Sequence, residues 1–198
     1  MDDFWLTRGK LVTRRGIIGG AVRVARGRIA AIRPRAPKGA RAIDVRGAYL
    51  APGFIDLHVW GEPEVVAREA VRHGTTAFLS ALGPESPARL LRDVEARARG
   101  AGAGGAEGAA CLGLHLEGPF LNPVRSGALP KRWMRRPALA ELRRLARAGG
   151  RAVRLITLAP ELRGAGEAIH WCAQHGIAVS LGHSEATAAD ALRAIDAG

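Results

Sequence analysis

The sequence predicts an α/β protein in which residues 1–50 form a small β-rich region and residues 51–198 form a run of βα units. Three observations carry this. The first fifty positions are short alternating apolar stretches punctuated by glycine, the pattern of antiparallel strands joined by tight turns. From Phe54 onward, β-length apolar runs alternate with amphipathic helical stretches five times over. Three of those five strands end in a histidine or carboxylate: Asp56 and His58, His115 and Glu117, and His183. Successive βα units imply a parallel sheet with right-handed crossovers. An open doubly wound sheet and a barrel both satisfy the pattern. No Gly-x-Gly-x-x-Gly follows the first strand to mark a dinucleotide site.

In order, Phe4-Trp5-Leu6, Gly9 to Thr13, Gly20 to Ala25 and Gly27 to Arg33 read as antiparallel strands, and Pro34 to Ala40 as a loop. Ala42 to Val45 followed by Ala48-Tyr49-Leu50 predicts one more hairpin. Phe54 to Val59 is then the first buried strand, Pro63 to His73 a helix, and Gly74 to Ser80 the second strand. A helix from about Ser86 to Arg99 opens with Pro87 in its first turn, a common helix start. Gly100 to Gly108 is a Gly/Ala linker, Ala110 to Leu116 the third strand, and Gly118 to Arg136 a long loop. Pro137 to Ala148 is helical, Val153 to Leu158 the fourth strand, Gly166 to His175 a helix, and Ile177 to Gly182 the fifth strand. Ser184 to Ala197 completes the series as a helix with Ser184 as its N-cap.

With 198 residues and 47% hydrophobic content the chain is globular and large enough to bury a core. No run of eighteen apolar residues is present, and the opening Met1 to Arg8 lacks the basic-then-apolar order of a secretory signal, so a cytoplasmic location without membrane contact is expected. The two cysteines, Cys111 and Cys172, lie in apolar contexts without metal-type spacing and read as core thiols. The net charge of +12 comes from 27 Arg and 3 Lys spread over helices, with a single Tyr and no aromatic interleaving to stack bases. Solvated helix faces explain that charge better than nucleic-acid binding, and no nucleic-acid partner is expected. A basic surface suits anionic substrates.

The chemistry concentrates at Leu114-His115-Leu116-Glu117-Gly118-Pro119. Alternate strand residues share a face, so His115 and Glu117 point the same way where the chain leaves the sheet. Imidazole and carboxylate converging from separate strand ends form the natural donor set for a borderline divalent ion.

Four motifs in this order resemble the N-acetylglucosamine-6-phosphate deacetylase family of the amidohydrolase superfamily. They are Pro52-Gly53-Phe54-Ile55-Asp56-Leu57-His58, His115 to Pro123 with Gly127-Ala128 behind it, Thr157-Leu158-Ala159-Pro160-Glu161, and Gly182-His183-Ser184-Glu185-Ala186. The resemblance implies an incomplete (β/α)8 TIM-type barrel of about five βα units, preceded by a small β-rich domain. It implies a metal-dependent hydrolase that releases acetate and glucosamine 6-phosphate from a small-molecule amino-sugar phosphate. Glu117 and His183 would bind a divalent metal ion (zinc, iron or manganese). His58 is the candidate for a second metal, with Trp60 where many relatives carry another histidine. Gly127 and Ala128 would lie against the substrate, with Leu129 where a substrate-holding histidine usually stands. The family's third metal ligand and its general-base aspartate fall beyond Gly198, so no catalytic residue is assigned within the chain. A homo-oligomer fits the family, and an inactive fragment or a non-catalytic binding module of the same fold is the alternative.

Overall fold

A computed structural model describes residues 3–102 and 108–198. The chain divides into two units, Met1–Gly53 and Phe54–Gly198.

In the first unit, β1 (Asp3–Thr13) pairs antiparallel with β2 (Gly16–Ala25), which pairs antiparallel with β3 (Arg28–Arg33). Arg26 and Gly27, with φ of 53° and 70°, make the two-residue turn whose hand matches strand twist. The two short strands expected near the start are one strand, irregular in register between Leu6 and Gly9, where Arg8 takes a φ of 59°. The expected last hairpin is not formed. β4 (Ala42–Asp44) and β5 (Tyr49–Leu50) each pair parallel with β1 and not with each other. The free edge of an eleven-residue strand needs partners for its polar backbone groups. The returning chain follows the bend in β1 to supply them: Val45 N–H donates to Thr7 O, Gly47 N–H to Arg8 O, and Lys10 N–H to Ala48 O. The core of this unit is thin, with Trp5, Leu11, Ala21 and Val22 buried while Ile17, Ile29 and Ile32 are exposed.

The second unit has strands β6 (Phe54–Val59), β7 (Thr75–Leu82), β8 (Ala110–Glu117), β9 (Val153–Leu158) and β10 (Ala178–Leu181). Between and after them come α1 (Pro63–Arg72), α2 (Pro87–Gly100), α3 (Leu139–Gly149), α4 (Ala165–Gln174) and α5 (Ala188–Ala197). All neighbours pair in parallel, in the order β10-β9-β8-β7-β6. A doubly wound sheet reverses its strand order part-way; this one does not. It is the wall of an incomplete (β/α)8 barrel.

β7, β8 and β9 are buried on both faces, as parallel strands are when helices cover them. Phe78, Leu114, Leu116, Ile156 and Leu158 are fully enclosed. On α3, Leu142 and Leu145 face this core while Arg143, Arg144 and Arg147 face outward. Gly149 lets that helix end close to β9, since a Cβ there would stand 2.4 Å from Val153 Cγ2. The expected Gly/Ala linker lies largely at 103–107, outside the described residues.

The long loop and the start of the last helix differ from expectation, while β7 runs on to Leu82 and α3 begins at Leu139. The Gly118 to Arg136 loop contains short 3₁₀ turns at Pro123–Arg125 and Lys131–Trp133. Asn122 caps the first by accepting from Val124 N–H, and Arg135 anchors the far end on Glu141 and the Glu85 carbonyl. The last helix starts at Ala188 with Thr187 as its cap, not at Ser184. A reciprocal capping box fixes that start, with Thr187 Oγ1 accepting from Asp190 N–H and the Asp190 carboxylate accepting from Thr187 N–H. The Thr187 hydroxyl also donates to the Asp190 carboxylate, and this bond together with the Thr187 N–H lowers the Asp190 pKa.

The enclosed position of Ile156 makes it the sharpest test of this core. Ile156→Ala is expected to cost about 2–5 kcal/mol of stability, measured as a lower denaturation midpoint in urea with an unchanged slope.

Candidate functional site

Parallel strands in chain order deliver β6, β8 and β10 to one edge of the sheet, and their ends carry the histidines and the glutamate. Register brings Glu117 opposite Thr157. The Gly182 N–H to Leu158 O bond then sets the turn that presents His183. His183 holds a φ of 51°, a left-handed conformation uncommon outside glycine. Strained backbone of this kind persists where surrounding contacts over-determine it. Here Asn122 N–H donates to the His183 carbonyl, and the His183 ring bonds to the Arg125 carbonyl.

That second bond settles the ring's tautomer. A carbonyl can only accept, so Nδ1, 2.8 Å from Arg125 O, carries a hydrogen. In a neutral imidazole Nε2 is then a bare lone pair, and it faces Glu117 Oε1 at 2.9 Å. Two lone pairs hold that separation only with positive charge between or beside them, either a proton on Nε2 or a shared cation. Donors ~2.1 Å from one ion stand about 3.0–3.4 Å apart. The pair is thus nearly spaced to hold a metal.

The other Glu117 oxygen faces His58 Nε2 at 3.4 Å. His58 is committed elsewhere, because its Nε2 also accepts the indole N–H of Trp60 at 3.0 Å and its Nδ1 lies 3.0 Å from His115 Nδ1. Asp56, earlier on the same strand, accepts from the His58 backbone N–H. Among the described residues, no three His, Cys, Asp or Glu side chains are gathered as a ready ligand set. Glu117 and His183 form a pair with His58 alongside.

His115, only 5% exposed, sits one step deeper. Its Nε2 is 2.7 Å from Thr157 Oγ1, and its Nδ1 is 3.0 Å from the Leu57 carbonyl. Burial pushes its pKa down, opposed by the Leu57 contact. It braces β6, β8 and β9 against one another.

Gly127 borders the pair, since a Cβ there would lie 3.7 Å from His183 Cε1, while Ala128 is exposed next to it. Trp60 and Leu129 meet over Gly83, where a Cβ would stand 2.7 Å from the Trp60 ring and 3.5 Å from Leu129 Cδ2. Glu161 stands in the sequence as one residue of the Thr157 to Glu161 motif, and in the structure it organises the rim. Its Oε1 accepts from Asn122 Nδ2 and from Glu185 N–H, and Arg125 pairs with Glu185. Its Oε2 is buried without a partner among the described residues. An Ala-Pro break one turn past a strand end was the available signal. Cys172 is buried in the core, and burial pushes its thiol up to about 11.

No protein-family model matches the chain. An N-acetylglucosamine-6-phosphate deacetylase from Danio rerio is 34% identical over 79% of this chain and 42% of its own length. An N-acetylgalactosamine-6-phosphate deacetylase from Escherichia coli O157:H7 is also 34% identical, over 96% of this chain and 52% of its own. The crystal structure of N-acetyl-D-glucosamine-6-phosphate deacetylase from Mycobacterium smegmatis superposes with a TM-score of 0.85 at 34% identity, covering 98% of this chain and 54% of that one. A mutant of that enzyme in complex with N-acetyl-D-glucosamine-6-phosphate gives 0.83 at 31% identity. The chain spans about half the length of the relatives it matches.

A depressed histidine pKa means that the unfolded chain binds protons more readily than the folded one. The stability tied to His115 is therefore full above the ordinary histidine pKa of about 6.5 and drains as pH falls through and below it. Thermal melts from pH 7.5 to 5 should show this loss, with a shallower decline in His115→Gln. Parallel curves for the two proteins would disprove the assignment.

Proposed function

The chain is a relative of the N-acetylglucosamine-6-phosphate deacetylases that corresponds to an N-terminal portion of them, and on that premise we propose that it supplies part of a metal-dependent amide-hydrolysing site. The substrate class is an N-acetylated amino-sugar 6-phosphate. Water adds across the amide C–N bond, giving acetate and the free amine. Equal identity to deacetylases of the gluco and galacto sugars leaves the sugar's C4 configuration outside this reading.

One observation carries the proposal: His183 Nε2, with Nδ1 committed to the Arg125 carbonyl, opposes Glu117 Oε1 at 2.9 Å. Glu117 and His183 are the residues that would hold a divalent ion, zinc, iron or manganese. Such an ion supplies Lewis acidity, lowering the pKa of water and polarising the acetyl carbonyl. The Arg125 carbonyl accepts from His183 Nδ1 and would leave Nε2 free to hold such an ion, as the partners of metal-binding histidines do. His58 leans on the second Glu117 oxygen with its own Nε2 occupied by Trp60. The centre is thus read as holding one ion, and a second on His58 would require Trp60 to move. Gly127 and Ala128 border the pair on the side where substrate would lie, and the absent side chain at Gly127 leaves room beside the His183 ring. No residue of the chain is assigned the proton transfer.

Metal titration of the chain by calorimetry tests the pair directly. Glu117→Gln and His183→Asn should each weaken zinc or manganese binding more than about tenfold, a loss on the scale seen for groups that hold a metal site in order. In a protein carrying these residues with the remainder of its barrel, the same changes should lower acetate release by about 10²-fold or more. Unchanged metal affinity in both variants would refute the site.

A further inference from the structure

A cleft of about 730 Å³ opens at the opposite end of the strands, where β9 begins at Val153 and Ile177 leads into β10. Arg143, Arg147, Arg151 and Arg154 line it, together with Trp171 and His175, and no aspartate or glutamate does. We infer that this cleft binds a small molecule carrying a chain of phosphates.

Four guanidinium groups around one concavity repel one another unless an anion joins them. Some arginines of this chain sit against carboxylates, as Arg135 does with Glu141, Arg97 with Glu62 and Arg125 with Glu185. Arg143, Arg147, Arg151 and Arg154 pair with none among the described residues. Arginine-rich composition explains exposed arginines on helices, but not four of them lining one cleft along the continuous stretch from α3 through the 3₁₀ turn into β9. Arg143 and Arg147 stand one turn apart on α3, Arg151 lies in the 3₁₀ turn Gly150–Ala152, and Arg154 is the second residue of β9. The planar fork of arginine matches phosphate oxygens two at a time. Four forks outnumber what one phosphate can use, so a di- or triphosphate fits the charge. The volume falls in the usual range of small-molecule sites, ~300–1,000 Å³.

The far wall is built to stay in place. The His175 ring stacks on Trp171 with centroids 3.9 Å apart, and His175 Nδ1–H donates to the Trp171 carbonyl at 2.8 Å. This aromatic pair offers a flat surface beside the arginines, on which a nucleobase could rest. The phosphate chain is the shared chemistry, and its source is either a nucleoside triphosphate or an inorganic polyphosphate. Because Glu117 ends β8 and His183 follows β10, the cleft and the candidate metal pair lie at opposite strand ends.

Calorimetric titration of the intact chain with inorganic tripolyphosphate and, separately, with ATP decides it. Saturable one-to-one binding is expected with either. The paired change Arg147→Ala and Arg154→Ala should weaken it about tenfold or more, while Arg68→Ala on α1 and Glu117→Gln should leave it unchanged. Should the double alanine variant lose its thermal transition, Arg147→Lys with Arg154→Lys keeps the charge and removes the forks, and weakening is still expected. Tighter binding of ATP than of tripolyphosphate places a nucleoside on Trp171, and equal binding confines recognition to the phosphates; both support the site. Absence of saturable binding overturns it, as does equal weakening by Arg68→Ala, loss in Glu117→Gln, or stronger binding of a short DNA duplex with the same arginine dependence.

Discussion

Parallel pairing of strands in chain order obliges every strand of the larger unit to end on the same edge, and the chemistry of this protein depends on that constraint. His58, Glu117 and His183 are far apart in sequence, yet β6, β8 and β10 deliver all three to one rim. Buried apolar faces on β7, β8 and β9 lock the register. A slip of one residue would reverse the side chains of a strand, sending Glu117 to the opposite face and Leu116 to the rim. Core packing and site geometry are therefore one specification.

Within that frame the rim is held by polar contacts among three loops. Glu161 after β9 receives bonds from Asn122 after β8 and from Glu185 after β10, and the Asn122 and Arg125 backbone in turn fixes His183. The left-handed backbone at His183 is tolerated because these contacts outweigh its cost. The orphaned Glu161 Oε2 fits the same picture of a carboxylate recruited for scaffolding, with one oxygen doing the binding.

Trp60 and Leu129 both border Gly83. The indole also occupies His58 Nε2. An apolar pair thus stands beside the candidate metal residues, and the side chain that closes off His58 forms part of that wall.

The order of strands, the amphipathic helices and the residues at strand ends were legible in the sequence because each is a local pattern: period two, period 3.6, and polar residues at the end of an apolar run. That legibility failed where pairing partners lie far away. Ala42–Asp44 and Tyr49–Leu50 look like a hairpin locally, but the open edge of β1 captures them in parallel, since unsatisfied backbone groups on a long strand outweigh a local turn. Ser184 has a capping side chain, yet Glu161 holds the segment extended until Thr187. The sequence by itself determined which residues are chemically able to act: Glu117, His183, His58, His115 and the glycine at 127. Only tertiary structure decided what each does, because the Arg125 carbonyl sets the tautomer of His183, Trp60 occupies His58, and burial against Thr157 and Leu57 makes His115 a brace. Apart from Trp60, two residues from His58, those partners lie 42 to 58 positions away in sequence, a span set by the order of the strands and not by any local pattern.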